Sequence, residues 1–68
     1  MKILFKYIRK NIRGPRDEEF ISNEITKLIN KEIPEGYHLK QLFAVDFSYD
    51  DLCFDEWMVD LKLIFEKN

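Results

Sequence analysis

The amino-acid sequence predicts a small α+β domain, with one helix packed on a three-stranded antiparallel sheet and the elements in the order β-α-β-β. An apolar stripe with helical spacing runs through residues 17–32. Two segments with alternating apolar residues, 39–49 and 57–66, follow it. The chain has 68 residues, the length of one small domain, so we expect residues 1–68 to form a single domain.

The N-terminal segment, residues 2–12, fits two elements. As a helix, it would leave Phe5 outside the apolar stripe. As a strand, it would place Ile3, Phe5 and Tyr7 on one face. A two-stranded hairpin is only marginally stable alone, and a third strand would widen the platform under the helix. We therefore favour a strand.

The helix at 17–32 is the best-supported element. Asp17, Glu18 and Glu19 occupy its first turn, where carboxylates interact favourably with the positive end of the helix dipole. Pro34 disfavours helical geometry at the residue before it, so the helix ends there. Residues 33–36 then fit a type I turn, with proline second and glycine fourth.

Both C-terminal strands show apolar residues at odd positions, with Gln41 as the exception. The buried side chains of the domain are expected to come from the helix stripe and from these odd positions. The predicted core is Phe20, Ile21, Ile25, Leu28, Ile29, Phe43, Val45, Phe47, Val59, Leu61 and Leu63.

Between these strands the alternation slips, because the apolar residues Leu52 and Phe54 stand at even positions. A tight turn at residues 50–51 would place Leu52 opposite Tyr49 and Phe54 opposite Phe47. One extra residue at 55–56 would then restore the alternation, which predicts a β-bulge there. The alternative is a longer, irregular loop over residues 50–56.

The charges of the chain are sorted along the sequence. Residues 1–16 carry six basic side chains and no acidic one, whereas residues 46–60 carry six acidic side chains and no basic one. A localised field attracts surfaces of opposite charge. We therefore expect a non-enzymatic protein-interaction module, a small bacterial or phage regulator or inhibitor that binds a basic surface of another protein. The expected partner-binding residues are Tyr49, Asp50, Asp51, Phe54, Asp55, Glu56 and Trp57, with the aromatic ones as anchors.

Two other interpretations of the acidic segment stay open. The carboxylates could stand in for the phosphates of a nucleic acid in the basic channel of a DNA-binding protein, or they could be the solvated side chains of an ordinary hairpin. A calcium loop fits poorly, because Asp51 stands where glycine is needed and Trp57 where a bidentate glutamate is needed. We expect no metal site and no cofactor.

No constellation of catalytic residues stands out. His38 is the only histidine, and neither a base nor a placed nucleophile is spaced to work with it. Cys53 lies among acidic residues, which disfavour a reactive thiolate. Both glycines belong to turns, so no phosphate-binding loop is present. The sequence thus predicts that the protein is not an enzyme.

Cys53 is the only cysteine, which excludes a disulfide within the chain and suits the reducing cytoplasm. No apolar stretch approaches the length of a membrane span. The basic N-terminal segment could contact phosphates or an anionic membrane surface, but a sequence pI near 5.3 argues against a nucleic-acid partner. Because so small a core is marginal, we expect a homo-oligomer with contributions from Phe5, Tyr7, Phe54 or Trp57.

The element order also resembles that of dodecins, small proteins with a strand, a helix and two long antiparallel strands that assemble into hollow flavin-binding dodecamers. The best local match is residues 56–65, an alternating apolar strand that ends in an aromatic residue. The flavin-stacking tryptophan of dodecins lies where this chain has Tyr37 or His38, and the glycines of the dodecin hairpin are absent. The resemblance implies an alternative function, an oligomeric flavin-binding protein.

Overall fold

The computed structural model describes residues 1–52 and 55–68. It contains strand β1 (Lys2–Arg13), helix α1 (Glu18–Glu32), strand β2 (His38–Asp50) and strand β3 (Glu56–Lys67). The strands form one antiparallel sheet in the order β1-β3-β2. The predicted α+β fold with β-α-β-β order is therefore confirmed, and the N-terminal segment is a strand. In the described part of the chain, no helix is long and apolar enough to span a membrane.

Helix α1 begins at an acidic cap. The Asp17 side chain accepts a hydrogen bond from the backbone N–H of Glu19 at 3.0 Å, which satisfies one of the open donors of the first turn. The helix ends at Ile33, whose backbone is extended as expected before Pro34. The following turn lies one residue later than predicted: the N–H of Tyr37 donates to the Pro34 carbonyl, and Gly36 takes the third position with φ of +83°. A positive φ at this position is a requirement of type II turns.

Strand β3 lies in the centre of the sheet and supplies most of the core. Leu61 is fully buried between Ile8 on β1 and Val45 on β2, its partners in the two ladders. Alternate residues of β3 face the helix, because side chains alternate along a strand. The buried core consists of Ile8, Ile21, Ile25, Leu28, Trp57, Val59, Leu61, Leu63 and Phe65.

The predicted core is wrong for strand β2. Phe43, Val45 and Phe47 are 46%, 43% and 44% exposed. Strand β2 lies at an edge of the sheet, so it has a neighbour on one side only, and a groove separates it from α1. Phe20 and Ile29 are packed against the core but only partly buried.

Strand β2 contains two register shifts, one between Leu39 and Gln41 and one between Leu42 and Ala44. These irregularities move Gln41 off the helix-facing side, which accounts for its break in the apolar alternation. The predicted tight turn and the bulge at 55–56 are wrong, because Tyr49 pairs with Trp57 and Asp50 pairs with Glu56, so residues 51–55 connect the two strands. The predicted position of Phe54 lies outside the described residues.

Candidate protein-interaction site

The topology collects acidic side chains at one end of an elongated molecule, whose extents are 45 × 15 × 15 Å. Strands β1, β2 and β3 and helix α1 all begin or end there. We define the acidic end as residues 9–21 and 46–60, which carry nine acidic and four basic side chains, a net charge of −5. The remaining residues carry four acidic and seven basic side chains, a net charge of +3.

The basic N-terminal segment lies beside the acidic segment within the same chain. Arg9 pairs with Asp60 across β1 and β3, and its Nε atom lies 3.3 Å from the carboxylate. The hydroxyl of Tyr7 donates to the same carboxylate at 2.8 Å, and this bond raises the pKa of the Tyr7 phenol. Asn11 donates to Glu56 at 3.3 Å. Strand β1 thus neutralises part of the acidic segment.

The tip of the acidic end retains exposed carboxylates. Asp50 accepts a hydrogen bond from the N–H of Leu52 at 3.0 Å, and this bond shapes the start of loop 51–55. Arg16 forms a single exposed ion pair with Asp51, at 3.5 Å. Among the described residues, Asp50 and Asp55 have no ion-pair partner. Leu52 lies beside them in the sequence and is 91% exposed, the highest value among the large apolar side chains of the described residues.

Two of the predicted aromatic anchors are part of the fold. Trp57 is only 5% exposed, so its expected exposure is wrong, and its indole N–H donates to the Pro15 carbonyl at 2.9 Å. Tyr49 is half-buried, and its hydroxyl donates to the Gly14 carbonyl at 3.2 Å. Burial raises the pKa of the Tyr49 phenol, with the nearby Asp55 as the next cause. These two side chains hold the connection between β1 and α1 against the sheet.

The same connection depends on a glycine. A Cβ atom at Gly14 would lie 2.2 Å from the Phe20 ring, so no larger residue fits without a shift of that ring. The connection brings the first turn of α1 to the tip, which adds Asp17, Glu18 and Glu19 to the acidic end. From the sequence, these three carboxylates indicate only a favourable interaction with the positive end of the helix dipole. Their place beside the hairpin follows from strand order and from the short connection after β1.

The predicted partner-binding carboxylates do come together. Asp50 pairs with Glu56 at the last rung of the β2–β3 ladder, and Asp51 and Asp55 lie in the loop that joins the two strands. Asp55 takes a left-handed backbone conformation, with φ of 48°. Phe54 lies outside the described residues. The arrangement suits electrostatic recognition of a basic surface.

In the described part of the chain, an apolar groove lies between α1 and β2. Its volume is about 290 Å³. Leu42, Val45 and Phe47 form its sheet side, and Ile21, Ile25 and Ile29 form part of its helix side. Glu18, near one end, is the only charged residue of its lining.

Side chains that could bind a metal ion do not cluster in residues 1–52 and 55–68. No group of three or more histidine, cysteine or acidic side chains there is arranged to hold a metal ion. His38 is exposed at the start of β2. The ammonium of Lys67 lies 5.6 Å from the centre of the neighbouring Tyr37 ring.

Comparison with known proteins adds no assignment to this geometry. No family model matches the chain, and neither the curated proteins nor the solved structures contain a significant match to it. A function for this chain must therefore be inferred from the charges and contacts described above.

Proposed function

We propose that this protein is a non-enzymatic interaction module that binds a basic surface of another protein through its acidic end. The observation that carries the proposal is the net charge of −5 at one end of the molecule, including exposed carboxylates in loop 51–55. A concentrated charge of this kind accelerates encounter with an oppositely charged surface.

The contact surface differs from the one expected from sequence. Trp57 is buried and Tyr49 is half-buried, so both support the surface from beneath. The groups that remain available at the tip are the carboxylates of Asp50, Asp51, Asp55 and Glu56. Because salt screens the attraction between exposed charges, we expect binding to weaken strongly as the salt concentration increases.

A small bacterial or phage regulator or inhibitor in the cytoplasm is the setting we propose for this binding. Such a protein would occupy a basic functional site of its partner and exclude that site's normal ligand. We also propose that the chain self-associates, since its core contains only nine buried residues among those described.

The test compares how much partner is captured from host lysate by the wild-type protein and by a variant whose tip carboxylates are changed to neutral amides. The variant Asp50→Asn, Asp51→Asn, Asp55→Asn, Glu56→Gln should lose at least about 90% of the captured partner at physiological salt. The matched control is Glu24→Gln, Glu32→Gln, Glu35→Gln, Glu66→Gln, which removes the same number of charges outside the acidic end. If the tip variant captures the partner as well as the wild-type protein does, the proposal is wrong.

The alternative is a flavin carrier of dodecin type. The observation that favours it is the apolar groove between α1 and β2, whose volume of about 290 Å³ lies just below the usual range for small-molecule sites, about 300–1,000 Å³. Added riboflavin should lose fluorescence on binding such a carrier. The variant Phe47→Lys would place a charge in the groove and should abolish that quenching.

A further inference from the structure

The face of the sheet opposite the helix carries exposed apolar side chains. Side chains on this open face alternate with those of the core, because neighbouring residues of a strand point to opposite faces. Phe5, Tyr7 and Met58 lie on it and are 68%, 56% and 44% exposed. Ile3 is 42% exposed, and Ile64 is half-buried next to Phe5, its cross-strand neighbour. An open face of an antiparallel sheet is normally polar, so this apolar group calls for an explanation.

The area of the open face fits a protein interface. Extents of 45 × 15 Å correspond to roughly 680 Å² per copy, or about 1,350 Å² for two opposed faces, which lies within the standard range for stable complexes. The chain also exposes 5014 Å², whereas area scaling for a folded protein of this mass gives about 4,600 Å². A partner on the open face would cover more surface than the difference between these two accessible areas.

The charges of the open face identify the partner. On central strand β3, Lys62 and Asp60 lie next to one another on this face, one on each side of its midpoint. Asp60 is neutralised by Arg9, whereas Lys62 has no ion-pair partner among the described residues. If a second copy is stacked face to face with its strands antiparallel, Lys62 lies over Asp60 of that copy, and Asp60 lies over its Lys62.

The same operation matches the other groups of the face. Ile64 and Met58 each lie three residues from Leu61, the midpoint of β3, on opposite sides of it, so Ile64 of one copy lies over Met58 of the other. Tyr7 and Arg9 exchange in the same way, which sets a guanidinium over an aromatic ring. The exceptions lie farther from the midpoint: Phe5 lies over Asn11, and Ile3 lies over Arg13. Glu66 lies over Glu56, and Lys40 forms an ion pair with Glu66 at 3.2 Å.

We infer that a second copy of this chain binds the open face, antiparallel to the first, to give a helix–sheet–sheet–helix dimer. This inference deepens the self-association proposed above and does not depend on the acidic end as a partner site. The antiparallel arrangement places the end with charge −5 of each copy over the end with charge +3 of the other. Asp51, Asp55 and the start of α1 stay at the two extremities of the dimer.

Sedimentation velocity across a concentration series tests the surface. The wild-type protein should sediment as a dimer at tens of micromolar, and Phe5→Lys should raise the dimer dissociation constant at least about tenfold, because it places a charge in the interface. The matched control is Phe47→Lys, which adds the same charge at a half-exposed phenylalanine on the helix side and should leave the constant within about threefold. Circular dichroism checks that each variant is folded, and Lys62→Glu is a second interface variant should Phe5→Lys fail to fold.

Disulfide formation tests the orientation. In a Cys53→Ser background, Ile64→Cys and Met58→Cys should each resist self-cross-linking but should cross-link when the two variants are mixed. Ile64 is six residues from Met58 on β3, so two copies of either residue lie roughly 20 Å apart in the antiparallel dimer. A monomeric wild-type protein, a dimer weakened by Phe47→Lys but not by Phe5→Lys, or self-cross-linking of Ile64→Cys would each overturn the inference. Loss of partner capture without loss of the dimer would leave it intact.

Discussion

Leu61 should contribute more to stability than any exposed leucine of the chain. It is 0% exposed, on the central strand, between Ile8 and Val45. Leu→Ala substitutions at buried sites cost about 2–5 kcal/mol, and the loss increases with the volume of the cavity that remains. Val45 is 43% exposed and can move toward that cavity, so we place Leu61→Ala near the middle of the range, at about 3 kcal/mol.

The measurement is urea unfolding followed by the fluorescence of Trp57, the only tryptophan and a buried one. A domain of this size has a total stability of about 3–10 kcal/mol, so Leu61→Ala should move the unfolding midpoint far toward zero urea or unfold the protein. The control is Leu52→Ala, the same chemical change at a side chain that is 91% exposed, with an expected effect within about 0.5 kcal/mol. Equal midpoints for the two variants at equal protein concentration would refute the assignment of the core to β3.

Two further variants test the contacts around the sheet. Trp57→Phe keeps an aromatic side chain but removes the indole hydrogen bond to the Pro15 carbonyl. It should lower the free energy of unfolding by about 1–3 kcal/mol, measured by thermal or urea unfolding followed by circular dichroism. An unchanged midpoint would contradict the anchoring role of Trp57. In Lys6→Met, the pKa of Glu32 should rise toward its ordinary value near 4.5 in an NMR titration, because the Lys6 hydrogen bond at 2.9 Å lowers it. A lowered pKa stabilises the fold above the unfolded-state pKa, and this contribution is lost as pH falls through the folded-state pKa, so the variant should lose less stability on acidification than the wild type.

The sequence predicts the elements of this fold because each has a clear period. The helical stripe of α1 and the alternation of β3 match the structure to within two residues. Gln41 lies at the register irregularities of β2. The apolar alternation alone does not show that its polar side chain indicates such an irregularity. A single polar residue at an apolar position is compatible with a bulge or with a partly exposed strand.

The order of the strands was the information that the sequence did not contain. β2 and β3 both alternate, and the choice of β3 as the central strand decides which aromatic residues are buried. Trp57 was expected at a surface because it follows a run of acidic residues. In the structure it faces the core, because it begins the central strand and because the Pro15 carbonyl provides a partner for its indole N–H.

Strand order also changes what the separate basic and acidic segments of the sequence predict about partners. In the sequence, a basic segment and an acidic segment are separated by thirty residues, and each would be expected to attract a different partner. In the structure, β1 lies beside β3, and Arg9 pairs with Asp60 within the chain. The net charge of −5 persists because the short connection after β1 adds the three carboxylates of the first helical turn to the tip. Asp17, Glu18 and Glu19 thus supply three of the nine acidic side chains of the acidic end, and substitutions confined to the hairpin should leave this part of its field in place.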